Sequence, residues 1–220
     1  MGDSAAEPGK AGGGGLPMRS AIVFDCEFLT NEDAPRRFWM GPNDPDPVIA
    51  QIGAAKIGLE SPFDILDEVR LYVRPIDRFG KPYALHPFFT TLTGIDEAVL
   101  TAKGTDLKTA LHALDAFSEG SRYWSWGKDE LNMLGISCYI AGVEPMIPAR
   151  RFDNACKLML KAGMPQDDLN RVRSNTVAEY FRVDHPPLRG HDALDDALSL
   201  TYALQHLLRT GKLRPDHFVD

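Results

Sequence analysis

The chain has 220 residues, 44% of them hydrophobic, and a formal net charge of −7. That length suits one domain, or at most two, with a proper core, and the acidic balance excludes a protein that grips long duplex through many phosphates. A small phosphate site stays open, because bound metal ions can supply local positive charge. Residues 1–18 are rich in Gly, Ala and Pro and read as a flexible tail, leaving 19–220 as a single domain. Three strand candidates follow: "SAIVFDCEFL", "PVIAQIGAAKIG" and the alternating "LDEVRLYVRP". The connection at 31–47 carries four prolines and is long for a hairpin. Its Phe38 and Trp39, beside Arg36 and Arg37, can be read as a base-stacking platform or as a loop pinned by a buried tryptophan. The pattern then turns helical in "DLKTALHALDAFSEG", passes through the aromatic strand "RYWSWG", and returns to helix in "KDELNMLGISCYIAGV". A strand running into a helix is expected in "ARRFDNACKLMLKAG", a short helix in "SNTVAEYFRV", and the longest helix in "HDALDDALSLTYALQHLLRTG". Strands first, then alternating helices and strands, imply an α/β domain with a mixed sheet.

Cys26, Cys138 and Cys156 lack C-x-x-C spacing, so neither a disulfide framework nor a zinc cluster follows, and a reduced, cytoplasmic setting is expected. No apolar run reaches the ~18 residues that span a bilayer. No signal-peptide pattern opens the chain, and "MGDSAA" has Ala6 where a myristoylation site needs Ser or Thr.

Asp25 and Glu27 interrupt an apolar strand two residues apart, so they share a face while Phe24, Cys26 and Phe28 turn to the other. Two carboxylates at close range repel unless one is protonated or a cation sits between them. Oxygen ligands of this kind suit Mg²⁺ or Mn²⁺. Alone, the pair is equally compatible with a solvated edge. In the last helix Ala193, Ala197, Leu200, Leu204, Leu207 and Leu208 fall in an arc of about 220–320° when Leu194 is set at zero. Asp195 falls near 100°, on the polar side, and Asp196 near about 200°, at the border of the buried arc. Asp195 is therefore expected to be a solvated acid and Asp196 to point inward, where it needs a partner. Asp129 opens a helix; read locally, it is a first-turn acid.

Together, "FDCEF", "FFTTLTGI", "WSWGKDELNML" and "HDALDDA" resemble, in order and spacing, the DEDDh 3′–5′ exonucleases of the RNase H-like superfamily, and most closely their small-RNA branch. These blocks cover most of residues 20–210. The resemblance implies an RNase H-like fold: a mixed five-stranded sheet, three strands antiparallel and then two parallel, flanked by helices. It implies Asp25, Glu27, Asp129, His191 and Asp196 as the catalytic set. The four acids would hold two divalent cations, Mg²⁺ or Mn²⁺, and His191 would serve as general base. Phe28, Leu29, Thr30 and Met133 would contact the terminal bases. The implied reaction removes nucleoside 5′-monophosphates from the 3′ end of single-stranded RNA, favoured here, or DNA. Two other readings stay open: a binding or regulatory module that kept the fold with little activity, and a phosphoesterase acting on short oligonucleotides. A homodimer is an allowed state.

Overall fold

The computed structural model describes residues 19–219; the tail expected at 1–18 lies outside them. Strands β1 (Ser20–Phe28), β2 (Ile49–Gly58) and β3 (Ile65–Val73) form an antiparallel set. β5 (Arg122–Ser125) lies parallel to β1, and β6 (Phe152–Asn154) parallel to β5. A sixth strand, β4 (Gly104–Thr105), runs parallel to the end of β3 and completes the order β4-β3-β2-β1-β5-β6. The sequence reading expected five strands; the two residues of β4 are too few to leave a periodic signal. The helices are α1 (Pro87–Thr93), α2 (Glu97–Lys103), α3 (Leu107–Ser118), α4 (Asp129–Ala141), α5 (Cys156–Lys161), α6 (Gln166–Arg171), α7 (Val177–Tyr180) and α8 (Ala193–Arg209). Among the described residues no helix is long and apolar enough to cross a membrane.

Both faces of β1 are covered, which is why its interior reads as a near-continuous apolar run. On one face Ala21 and Val23 pack against Leu200, Leu204 and Leu207 of α8. On the other, Ile22, Phe24 and Cys26 pack against Leu111 and Leu114 of α3 and Met133 and Cys138 of α4. The two-residue period of the strand therefore carries Asp25 and Glu27 onto the α8 face, at the C-terminal end of β1. Ligands in open α/β sheets gather at such strand ends.

Three contacts seat α8 on the sheet. Gly53 of β2 lies opposite Asp25, and a Cβ on it would stand 2.0 Å from the Leu194 nitrogen. The missing side chain is what lets the helix start touch the strand. The buried Gln51 accepts from the Ala193 N–H at 2.7 Å and donates to Asp192 at 3.2 Å. Asp192 in turn caps the helix, accepting from the Leu194 and Asp195 N–H groups, and Arg70 of β3 donates to it at 2.8 Å.

Candidate active site

A cleft of about 620 Å³ opens where β1, α4 and α8 converge. Asp25, Glu27, Glu130, Asp196 and His191 line it, with walls from Phe28, Trp39, Phe88 and Trp126. Five acids are buried among the described residues: Asp25, Glu27, Glu130, Asp192 and Asp196. Asp192 is ion-paired with Arg70, whereas the other four, all in the cleft, have no ion pair. Ligand atoms of Glu27, His191 and Asp196 lie within 4.8 Å of one another.

The electrostatics follow from this crowding. Burial, and then the charges of Glu130, Asp196 and Glu27, hold the Asp25 carboxyl well above its ordinary range, against a lowering hydrogen bond from Ser174. Burial first, then Asp196 and Asp192, push Glu27 up to about 8, partly offset by the charge of Arg189. Asp196 is pushed up to about 7, mainly by burial, and so is Glu130. His191 is shifted the other way: burial and then the charge of Arg189 lower it, which favours the neutral ring.

Arg189 reaches this position through the "LTGI" segment. Gly94, the C-cap of α1 at φ 71°, leaves space that the Arg189 guanidinium fills, since a Cβ there would meet it at 2.4 Å. The α1 residues Phe88 and Leu92 also line the cleft.

Of the residues expected from sequence, Asp25, Glu27, His191 and Asp196 line the same cleft. His191 sits at the exposed rim with φ 61°, and its N–H donates to Asp196 Oδ2 at 3.3 Å. Asp129 reaches the cleft but is exposed, although partial burial raises its carboxyl, and Glu130 is the α4 acid whose charge raises Asp25. Asp195 is not freely solvated. It accepts from Arg70 at 3.0 Å and from the Arg189 N–H at 2.8 Å, because the helix start leans on β3 rather than facing water.

Among the candidate substrate contacts, Phe28 and Thr30 line the cleft. Leu29 does not, being 2% exposed and packed with Phe89 and Ile95. Met133 belongs to the core under α4 and borders a second groove instead. In the 31–47 loop, Trp39 is half-buried: it packs edge-on against Phe28 at 5.3 Å and also lines the cleft, so it both pins the loop and faces the site. Phe38 is exposed, and Arg37 is consumed within the loop by Asp44 at 2.8 Å. Cys26 faces the core, and burial raises its thiol, which argues against a catalytic thiol there. Sequence reasoning missed Glu130, Gln51 and Gly53. A polar Gln and a Gly on one face of an apolar strand were the available signal for the last two.

The site suits hard divalent cations. Its donors are carboxylate oxygens and one imidazole. Two of those oxygens, Asp196 Oδ1 and Glu130 Oε2, are buried without a hydrogen-bond partner, a condition a cation would relieve.

No protein-family model and no curated protein sequence matches the chain. Solved structures do. The nuclease domain of 3′hExo, a DEDDh family member bound to rAMP, superposes with a TM-score of 0.71 at 18% identity, over 90% of this chain and 96% of that one. The cell-death related nuclease CRN-4 gives 0.65 at 16% identity, over 89% of this chain and 65% of its own. E. coli ExoI, in a zinc-bound complex with single-stranded DNA, gives 0.60 at 15% identity, covering 91% of this chain and 42% of that one. The mixed sheet, its flanking helices and these neighbours agree with the fold that the resemblance implies: the chain shares the fold of the nuclease domain of 3′hExo, of CRN-4 and of ExoI.

Proposed function

We propose that this protein is a metal-dependent 3′–5′ exonuclease that trims single-stranded nucleic acid, RNA in preference to DNA, and releases nucleoside 5′-monophosphates. The observation that carries the reading is the cleft itself: four buried carboxylates without an ion pair, beside the imidazole of His191. Neighbours of the same fold lend support. 3′hExo is described bound to rAMP, a 3′-exonuclease is described recognising a histone mRNA stem-loop, and ExoI is described with single-stranded DNA.

Asp25, Glu27 and Asp196 would hold two divalent cations, Mg²⁺ or Mn²⁺. When bound, such ions supply an activated water and neutralise charge on the phosphate under attack. His191 takes the proton from the attacking water at a ring nitrogen; its lowered pKa keeps the imidazole in the accepting form. Phe28 and Trp39 present aromatic surface to the terminal base, and Thr30 a hydroxyl, at the cleft wall. Arg173, also on the wall, supplies a cation for the phosphate. A reduced cytoplasmic setting fits three free cysteines.

The test is degradation of labelled single-stranded RNA, single-stranded DNA, duplex and dinucleotide with Mg²⁺ or Mn²⁺. Stepwise loss from the 3′ end, fastest on RNA, is expected. Asp25→Asn should reduce it to background while the protein stays folded. Unchanged degradation by that variant would refute the proposed chemistry, and cleavage of the dinucleotide alone would favour the oligonucleotide phosphoesterase.

A further inference from the structure

Helix α4 opens with two adjacent acids, and the family-type reading places the first of them, Asp129, in the catalytic set. The geometry points to Glu130 instead: it is the buried α4 carboxylate that completes the cation-binding cup, and Asp129 stands at the exposed edge of the cleft. This inference rests on the exonuclease reading above and names one more residue of the same site.

Consecutive helical residues point about 100° apart, so only one of the pair can face β1. Glu130 lies in line with Met133, Leu134 and Ser137 at spacings of three, four and seven, all of them buried. Ser137 locks that face to the sheet: its hydroxyl accepts from the Ile49 N–H at 3.0 Å. Glu130 is 8% exposed, whereas Asp129 is exposed and also borders the outer groove with Asn132, Ile136 and Tyr139.

A second, independent observation concerns partners. Among the described residues, four buried side-chain polar atoms lack a hydrogen bond: Arg122 Nε, Trp124 Nε1, Glu130 Oε2 and Asp196 Oδ1. The two acceptors in that set are both carboxylate oxygens, and both residues line the one cleft. A buried acceptor without a donor is costly, and a carboxylate oxygen more so. Asp196 comes from α8 and Glu130 from α4, and the charges of both act on Asp25 between β1 and these helices. Cations held in the cup would relieve both orphans. Glutamate, one methylene longer than aspartate, also gives α4 the reach to join a cup centred on the strand.

The experiment is calorimetric titration of the full-length protein with MnCl₂ alone, with melting measured in parallel in EDTA and in Mn²⁺. Wild type should take up two ions. Asp129→Asn should match wild type in uptake and in the Mn²⁺-dependent rise in melting temperature. Glu130→Gln should lose one ion or bind roughly tenfold or more weakly, and it should melt no lower than wild type in EDTA, because an unpaired buried acid has been removed. Glu130→Asp, which keeps the charge and shortens the reach, covers the case in which Glu130→Gln fails to fold; its uptake should be weaker than wild type. Normal uptake by the Glu130 variants, or equal or greater loss in Asp129→Asn, would overturn the assignment while leaving the exonuclease reading intact. No uptake by wild type, or full uptake by Asp25→Asn, would instead overturn the exonuclease reading itself.

Discussion

One face of β1 has two halves that meet the same helix and differ in what satisfies them. Ala21 and Val23 are closed over by Leu200, Leu204 and Leu207, so dispersion and water exclusion stabilise that half. Asp25 and Glu27, four residues further along, are buried almost as deeply and meet Asp196 and Glu130. Hydrogen bonds from Ser174 and the His191 N–H and the charge of Arg189 repay only part of the loss of water, and the carboxyls stay raised. A fold carries such a cluster only if the first half, and the rest of the core, stabilise it enough to tolerate the cost. The apolar half is the support and the acidic half is the site.

The largest contrast should come from pH, in EDTA. Glu27 is pushed up to about 8, and Asp196 and Glu130 up to about 7, from ordinary values of 4.5 and 3.8 for glutamate and aspartate. Between those limits the unfolded chain has released protons that the folded protein still holds. The stability these groups contribute is therefore whole below about pH 4 and lost as pH rises towards about 8. Chemical denaturation across this window should show a fall on the order of several kcal/mol. Saturating Mn²⁺ should remove most of the fall and release protons on binding. Flat stability in EDTA would mean the acids are solvated.

Leu204→Ala breaks the other half. Leu204 is fully buried, and the change should cost about 3 kcal/mol at every pH. Manganese affinity of the folded fraction should not change, so a loss of affinity would show that the two halves are not separable. Gly53→Ala strikes the seam between them. Its Cβ would stand 2.0 Å from the Leu194 nitrogen, so α8 must back away from β2. A loss of about 1–3 kcal/mol should come with weakened manganese binding, because Asp196 moves with the helix. Asp195→Asn should give the smallest effect. It removes an ion pair with the partly exposed Arg70, worth under about 1 kcal/mol after screening. Metal uptake should be unchanged by calorimetry.

How much of this was legible in the sequence depended on how one-sided each element is. The wheel of α8 put Asp196 at the border of the buried arc, where it is indeed buried, but it also made Asp195 a solvated acid, whereas Asp195 is half-buried against Arg70 and the Arg189 N–H. Helix α4 carries Leu131, Met133, Leu134, Ile136 and Ile140 on several sides, so its start has no clear inner face. Asp129 and Glu130 therefore could not be ordered by periodicity, and motif spacing chose the exposed one. Strand β1 was readable because its period of two is unambiguous. The role of Gly53 depends on a helix about 140 positions later in the chain, a contact that local pattern does not encode. Leu29 is a substrate contact only by the family resemblance, through the segment that follows the first acidic motif. The chain leaves the sheet there and turns Leu29 into the core beside α1.

The most direct measurement is anomalous diffraction from crystals of the full-length protein soaked in Mn²⁺ with a mononucleotide. This account expects two manganese peaks in the cleft, bounded by Asp25, Glu27, Glu130 and Asp196, with His191 facing the phosphate. A cleft without manganese, or ions bound only at other surface acids, would contradict it.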